Sequence, residues 1–186
     1  YAFNLTFNPM IWAIAAGNTA IIKPSEHSPS MSAVIEKIIK ATFDPQHVSI
    51  FQGDSSVAEY LTNMPFDHIF FTGSPAVGKH VMGAAAKNLA SVTLELGGKS
   101  PVIIHESANL IKAADSIVFS KFLNNGQTCI APDYLMVHES IYDRFLDTLR
   151  ISLSNQFGDE DGFINNKDYG RLVTKAHCQR LKDLLD

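Results

Sequence analysis

The chain has 186 residues, of which 46% are hydrophobic and 18% are charged, a composition typical of a globular protein with a sizeable core. Its formal net charge of −4 argues against a nucleic-acid partner, because nucleic-acid sites are basic. No apolar run is long enough to span a membrane, since the richest one, 10–22, is broken by Gly17-Asn18-Thr19 and predicts a helix, a turn and a strand. We therefore expect a protein that binds neither nucleic acid nor a membrane.

Short β-rich runs alternate with helical periods along the chain, which predicts βαβ units and a mostly parallel sheet. The predicted strands are 20–22, 48–51, 68–72, 91–95, 102–104 and 134–138, and the predicted helices are 30–42, 55–63, 75–87, 108–122 and 141–154. The Gly-, Asp- and Asn-rich segment 157–168 predicts a surface loop. Gly97-Gly98 predicts a hinge between two domains, residues 1–96 and 97–186.

Cys129 ends the polar run Asn124-Asn125-Gly126-Gln127-Thr128-Cys129, which suits a reactive nucleophile better than a packed core. A helix has to end or restart at the glycine, so we expect the thiol near a helix terminus, and a helix N-terminus favours the nucleophilic thiolate. The alternative is a buried, inert cysteine, which is how we interpret Cys178. Two cysteines without a disulfide framework indicate a reducing compartment.

A lone carboxylate, Glu95, lies in the apolar run Thr93-Leu94-Glu95-Leu96 before Gly97-Gly98. Apolar surroundings would desolvate it and make it a general base. The alternatives are an outward-facing strand residue or an ion pair with Lys99. The two glycines permit close approach of another backbone, which favours a functional site.

Two segments in the first half of the chain could bind a nucleotide. The run 70–79 combines a strand, a glycine turn and a helix start, whose backbone N–H groups could bind a pyrophosphate, although any βα connection can use such a turn. Lys23 and Glu26 follow a predicted strand, where a carboxylate can accept hydrogen bonds from ribose hydroxyls or simply cap the next helix. Asn4 alone is an ordinary turn former. The seven histidines lack metal-ligand spacing, so no metal site is predicted.

Read in order, these segments resemble the aldehyde dehydrogenase superfamily over essentially the whole chain. The segment 124–133 is most similar to the class 3-like branch, which includes fatty, aromatic and coniferyl aldehyde dehydrogenases. The resemblance implies an α/β fold, with a partial Rossmann-like nucleotide-binding domain followed by the start of an α/β catalytic domain. The family's downstream Glu-x-Phe-Gly-Pro motif is absent, so we expect an internal piece of a longer protein that is inactive in isolation.

The resemblance also implies roles for individual residues. Cys129 would attack the aldehyde and carry the thiohemiacetal and thioester, Asn4 would help to bind the oxyanion, and Glu95 would activate the hydrolytic water. The cofactor, NAD or NADP, would be bound by Lys23, Glu26, Gly73, Ser74, Gly78, Leu96 and Gly97. The family further implies a small-molecule aldehyde substrate, a homodimeric or homotetrameric parent and a cytoplasmic location.

Two alternatives to this function remain at the level of sequence. One is a CoA-acylating aldehyde dehydrogenase, against which Glu95 argues because relatives of that type often lack this carboxylate. The other is a catalytically inactive dinucleotide-binding module.

Overall fold

The computed structural model describes residues 1–158 and 162–185. The chain divides into two compact units, Tyr1–Leu96 and Gly97–Asp186, and each is described by itself. The division falls between Leu96 and Gly97, where the sequence also predicts a boundary. The nucleotide-binding and catalytic roles of the two units stay predictions.

The first unit alternates helices with strands that pair in parallel. Its helices are α1 (Ala2–Ala15), α2 (Pro29–Thr42), α3 (Ser55–Thr62) and α4 (Pro75–Ala86), and its strands are β1 (Ala20–Ile22), β2 (Val48–Ile50), β3 (His68–Thr72) and β4 (Ser91–Glu95). Strand β1 pairs with β2, and β3 pairs with β4. In a parallel pair the carboxyl ends of both strands meet at one edge of the sheet, and Thr72 accordingly lies opposite Glu95.

The core of the first unit forms where α1 and α2 pack on the β1–β2 pair. Met10 of α1 joins Ile35 and Ile39, which are four residues apart and therefore lie on one face of α2. Val48 and Ile50, two residues apart on β2, face the same side of the strand and complete the cluster.

The second unit has one parallel strand pair flanked by helices. Its elements are β5 (Ser100–Ile104), α5 (Leu110–Phe122), a 3-10 turn (Leu123–Gly126), β6 (Pro132–Val137), a second 3-10 turn (Glu139–Ile141), α6 (Tyr142–Phe157), α7 (Gly162–Asn165) and α8 (Lys175–Lys182). Strand β5 pairs with β6, with a register shift between Ser100 and Pro101. Ile104, Ala114, Ile141 and Phe145 form its buried core.

The α/β class with parallel strands, predicted from the sequence, is confirmed, and β3 and β4 have the predicted bounds. The predicted loop 157–168 is wrong at Phe157 and at Gly162–Asn165, which are helical, whereas residues 158 and 166–168 lie outside any helix or strand as predicted. Helix α6 continues to Phe157, and α7 occupies Gly162–Asn165, while residues 159–161 lie outside the described part. Among the described residues, no helix has the length and apolarity needed to cross a membrane.

Candidate active site

Cys129 lies at the amino end of the β5–β6 pair, in the turn that leads into β6. The carbonyl of Thr128 accepts a hydrogen bond from the N–H of Ala131 at 3.0 Å, which closes this turn. The cysteine is half-buried. Because α5 ends at Phe122 and the element that follows Cys129 is a strand, no helix begins at the thiol. The predicted position at a helix terminus is therefore wrong.

The chain reverses after α5 through three successive residues in the left-handed region. Their φ angles are +52° at Asn124, +55° at Asn125 and +73° at Gly126. Glycine and asparagine are the residues that adopt this conformation most readily. Asn124 secures the reversal, because its Nδ2 donates to the carbonyl of Gln127 at 3.0 Å. The Asn-Asn-Gly run thus specifies a tight turn rather than a helix start.

The side chain of Gln127 joins this loop to a later segment of the second unit. Its Nε2 donates to the carbonyl of Asn124 at 3.0 Å and to that of Arg171 at 3.2 Å. Its Oε1 accepts from the N–H of Val173 at 3.1 Å. The sequence assigns Gln127 no role, because two of its three partners are backbone groups more than forty residues away, which the sequence does not identify.

Gly98 contacts the backbone of Cys129. A Cβ atom built at Gly98 would lie 2.3 Å from the carbonyl oxygen of Cys129. The contact arises because β5 and β6 are parallel, so the residues that precede both strands meet at one edge of the sheet. The close backbone approach predicted for the glycine pair is confirmed at Gly98. At Gly97 a Cβ would meet nothing within 4 Å.

An ion pair lies beside the same edge of the sheet. Lys99 Nζ is 2.8 Å from Asp133 Oδ2, and this hydrogen bond is the main cause that lowers the pKa of Asp133. A smaller contribution comes from the charge of Lys121. Lys99, which the sequence offered as a partner for Glu95, therefore pairs within its own unit.

Glu95 ends β4 in the first unit, and its carbonyl accepts from the N–H of Gly73 at 3.0 Å. Its side chain is exposed and makes no hydrogen bond or ion pair with any residue that the structure describes. The predicted apolar, desolvating environment is therefore wrong. Glu95 has the outward-facing position that was the alternative, and its carboxylate is available to water.

Helix α4 begins directly after the glycine turn that follows β3. Ser74 caps the helix by accepting from the N–H of Val77 at 3.3 Å, and Pro75 occupies its first turn, where the missing N–H costs least. Gly78 has a packing role, since a Cβ there would lie 3.2 Å from Leu96 Cδ2. Four of the predicted cofactor residues, Gly73, Ser74, Gly78 and Leu96, thus belong to one β3–α4–β4 layer.

Lys23 and Glu26 form an ion pair beyond the carboxyl end of β1. Lys23 Nζ is 2.7 Å from Glu26 Oε2 and also donates to the carbonyl of Pro24 at 3.1 Å. The hydrogen bond from Lys23 is the main cause that lowers the pKa of Glu26. Asp54, the N-cap of α3, follows the neighbouring strand β2. The pKa of Asp54 is lowered chiefly by its hydrogen bond from Ser56, with a smaller contribution from the charge of Lys23.

Asn4 lies in the first turn of α1, so it is helical rather than a turn former. Its side chain is exposed and has no hydrogen bond to the residues described here, which leaves the amide available. Asn4 and Glu95 belong to the first unit and Cys129 to the second.

Within residues 1–158 and 162–185, no group of three or more His, Cys, Asp and Glu side chains could hold a metal ion.

Comparison with known proteins identifies the family. The sequence profile of the aldehyde dehydrogenase family matches residues 1–186. The chain is 49% identical over 186 residues to the 4,4'-diaponeurosporen-aldehyde dehydrogenase of Staphylococcus aureus, covering 100% of this chain and 40% of that protein. It is 44% identical to "Aldehyde dehydrogenase, dimeric NADP-preferring" of Rattus norvegicus, covering 100% of the chain and 41% of the relative. It is 40% identical to "Probable coniferyl aldehyde dehydrogenase" of Caulobacter vibrioides, and this match covers 100% of the chain and 38% of the relative.

A solved structure, the substrate-bound state of Staphylococcus aureus AldH, matches with a TM-score of 0.90 at 49% identity. The match covers 100% of this chain and 40% of that one, so the chain spans about two fifths of the length of the relatives it matches. The resemblance inferred from the sequence is confirmed, and the chain belongs to the aldehyde dehydrogenase family.

Proposed function

We propose that the protein oxidises an aldehyde to a carboxylic acid with NAD or NADP as oxidant, and that Cys129 is the nucleophile. The observation that carries this proposal is the setting of Cys129. It is a half-buried cysteine on a loop whose position is limited by a backbone contact at Gly98 and by hydrogen bonds from Gln127. The oxidoreductase names of the relatives support the same chemistry.

The first half-reaction begins when the Cys129 thiolate attacks the carbonyl carbon of the aldehyde. A C–S bond forms, and the π electrons of the carbonyl move to oxygen. The backbone N–H of Cys129 and the available amide of Asn4 would donate to this oxyanion and stabilise its charge. When the oxyanion re-forms its C=O bond, the same carbon releases hydride, and a thioester remains on Cys129. Bound nicotinamide supplies the oxidant that accepts the hydride.

The second half-reaction is hydrolysis of the thioester. Glu95 would remove a proton from water, the resulting hydroxide would attack the thioester carbon, and the Cys129 thiolate would leave as the carboxylic acid forms. The exposed Glu95 carboxylate, which no described side chain occupies, is available for this role. This availability favours hydrolysis over acyl transfer to CoA.

Groups in the first unit fit a dinucleotide. The start of α4 is exposed from Ser74 to Val77, and a helix N-terminus attracts the negative charge of a pyrophosphate. Glu26 could accept a hydrogen bond from a ribose 2′-hydroxyl, whereas Lys23 could bind a 2′-phosphate only by loosening its ion pair with Glu26. Both NAD and NADP remain in the proposal, and one relative is named as NADP-preferring.

The remaining parts of the proposal concern the whole protein. We propose a small-molecule aldehyde as the substrate, and a homodimeric or homotetrameric assembly. The word "dimeric" in a relative's name supports the dimer.

The nucleophile is tested by replacing each cysteine in the full-length protein. Cys129→Ala should abolish formation of reduced cofactor and leave the cofactor Kd within about twofold, because no thiol attack is then possible. Cys178→Ala, on α8, is the matched control and should keep its activity. Turnover by Cys129→Ala within about tenfold of the parent would contradict the proposal, because removal of a covalent nucleophile costs far more than this.

The role of Glu95 is tested by separating the half-reactions. Glu95→Gln should spare a stoichiometric burst of reduced cofactor and suppress the steady rate, while Glu59→Gln, at another exposed carboxylate, should change neither. Loss of the burst would place Glu95 in an earlier step. If turnover of the parent protein depends on added CoA, the result favours the CoA-acylating alternative. If Cys129 is unreactive, the result favours the inactive dinucleotide-binding module.

A further inference from the structure

We infer that Gln127 is a positioning residue for the nucleophile and that it fixes the Cys129 loop against the segment 171–173. The inference rests on the proposed function of Cys129. It concerns a residue that touches none of the reacting groups in that proposal and acts through the backbone of the loop.

The amide of Gln127 is almost fully used by backbone partners. Both N–H groups of a glutamine amide can donate, and here Nε2 has two acceptors, the carbonyls of Asn124 and Arg171. Oε1 accepts from Val173, which is 46 residues away along the chain. One side chain therefore satisfies three backbone groups and ties the loop to a distant segment.

The loop needs such a tie because its own conformation is not regular. Asn124 and Asn125 are both in the left-handed region, which costs free energy for any residue with a Cβ atom. With these φ angles at Asn124 and Asn125, the loop lacks the regular backbone hydrogen bonds of an α-helix or a sheet. Gln127 is two residues before Cys129, so its hydrogen bonds restrain the backbone immediately upstream of the nucleophile.

The segment on the other side of the tie is itself well anchored. Four aromatic rings pack against one another with centroid distances of 5.1 to 6.1 Å, and these are Phe122, Phe157, Phe163 and Tyr169. The Arg171 guanidinium lies 5.8 Å from the Tyr169 ring centroid. It also donates to three backbone carbonyls, those of Ile164, Tyr169 and Gly170. The carbonyl of Arg171 that accepts from Gln127 therefore belongs to a segment that several ring contacts and hydrogen bonds anchor.

The expected effect is confined to the chemical step. Loss of the tie lets the Cys129 loop shift, and a misplacement of about 1 Å can cost about a hundredfold in rate. Apart from Gly97, the residues proposed to bind the cofactor belong to the first unit, so the KM for the cofactor should change little. A residue that only stabilises the fold would not split kcat from KM in this way.

The test uses Gln127→Met and Gln127→Glu in the full-length protein, with Gln179→Met as the matched control. Met removes all three hydrogen bonds, whereas Glu keeps the length of the side chain and the acceptor for Val173 but removes the donors. Gln179 has one exposed hydrogen bond, to Asp183, and its replacement should be silent. Alkylation by iodoacetamide, followed by mass spectrometry, reports the reactivity of Cys129, with Cys178 as the internal standard.

We expect Gln127→Met to lower kcat and the alkylation rate of Cys129 by about tenfold or more, with the cofactor KM within about twofold. The kcat and the alkylation rate of Gln127→Glu should lie between those of Gln127→Met and those of the parent. An unchanged kcat and an unchanged alkylation rate in both variants would overturn the positioning role. Loss of folding in both variants would also overturn it, because Gln127 would then be needed for the fold. If Cys129→Ala retains turnover, the proposed function fails. If only the Gln127 variants are silent, the positioning role fails alone.

Discussion

Replacement of Gly98 by alanine is expected to displace Cys129, the proposed nucleophile. The new Cβ would lie 2.3 Å from the Cys129 carbonyl oxygen, whereas ordinary van der Waals contact begins at 3.4 Å, so the two backbones must separate by about 1 Å. The obstructing atom belongs to the backbone, which cannot swing away as the end of a side chain can. A shift of about this size in a reacting group can lower the rate about a hundredfold.

The assay for Gly98→Ala is the rate of the pre-steady-state burst of reduced cofactor in the full-length protein, together with the alkylation rate of Cys129. Gly83→Ala is the matched control, because a Cβ there meets nothing within 4 Å and alanine favours a helix such as α4. Both proteins should be compared below their unfolding temperatures. A burst rate for Gly98→Ala within about twofold of the parent would refute the reasoning, because overpacking against a rigid backbone would then have no effect on the loop.

Two further predictions concern the second unit. Lys99→Met should raise the pKa of Asp133, since the lysine's hydrogen bond is the main cause of the lowered value. In the parent, the ion pair stabilises the fold at pH values above the ordinary carboxyl pKa, and this stabilisation is lost as the pH falls through the lowered pKa of Asp133. An NMR titration in which the pKa of Asp133 is the same in Lys99→Met and in the parent would contradict the prediction. Phe157→Ala should lower the free energy of unfolding by about 3–5 kcal/mol, because Phe157 is 7% exposed inside the aromatic cluster. Denaturant unfolding measures this loss, and a change below about 1 kcal/mol would show that the cluster does not support the unit.

The regular elements were largely predictable because they depend on local patterns. Short β-rich runs gave β3 and β4 their bounds, and Asp54 and Ser74 act as the capping residues that begin α3 and α4. The start of α1 was missed, since Phe3 and Asn4 are exposed and polar residues interrupt the apolar pattern. Helix α7 was missed because glycine and asparagine, which usually mark loops, also occupy its ends.

The candidate site was predictable in composition and less so in environment. The sequence singled out Cys129 and Glu95, but it placed the thiol at a helix terminus and the carboxylate in an apolar setting, and both environments are different. Burial depends on which elements cover a side chain, and local sequence does not contain that information. For the same reason Gly78 could be read as a phosphate-binding glycine, although its observed contact is with Leu96.

The restraints on Cys129 act on different parts of its loop. Gly98 limits the position of the Cys129 carbonyl, and Gln127 limits the backbone two residues earlier. With the main chain held on both sides, the principal freedom left to Cys129, the proposed nucleophile, is rotation about χ1, which places its sulfur in a few discrete positions. The backbone N–H of Cys129, proposed as an oxyanion donor, is fixed by the same two restraints. Under the proposed mechanism, residues outside the reacting groups would therefore set both the direction of attack by Cys129 and the position of the developing charge.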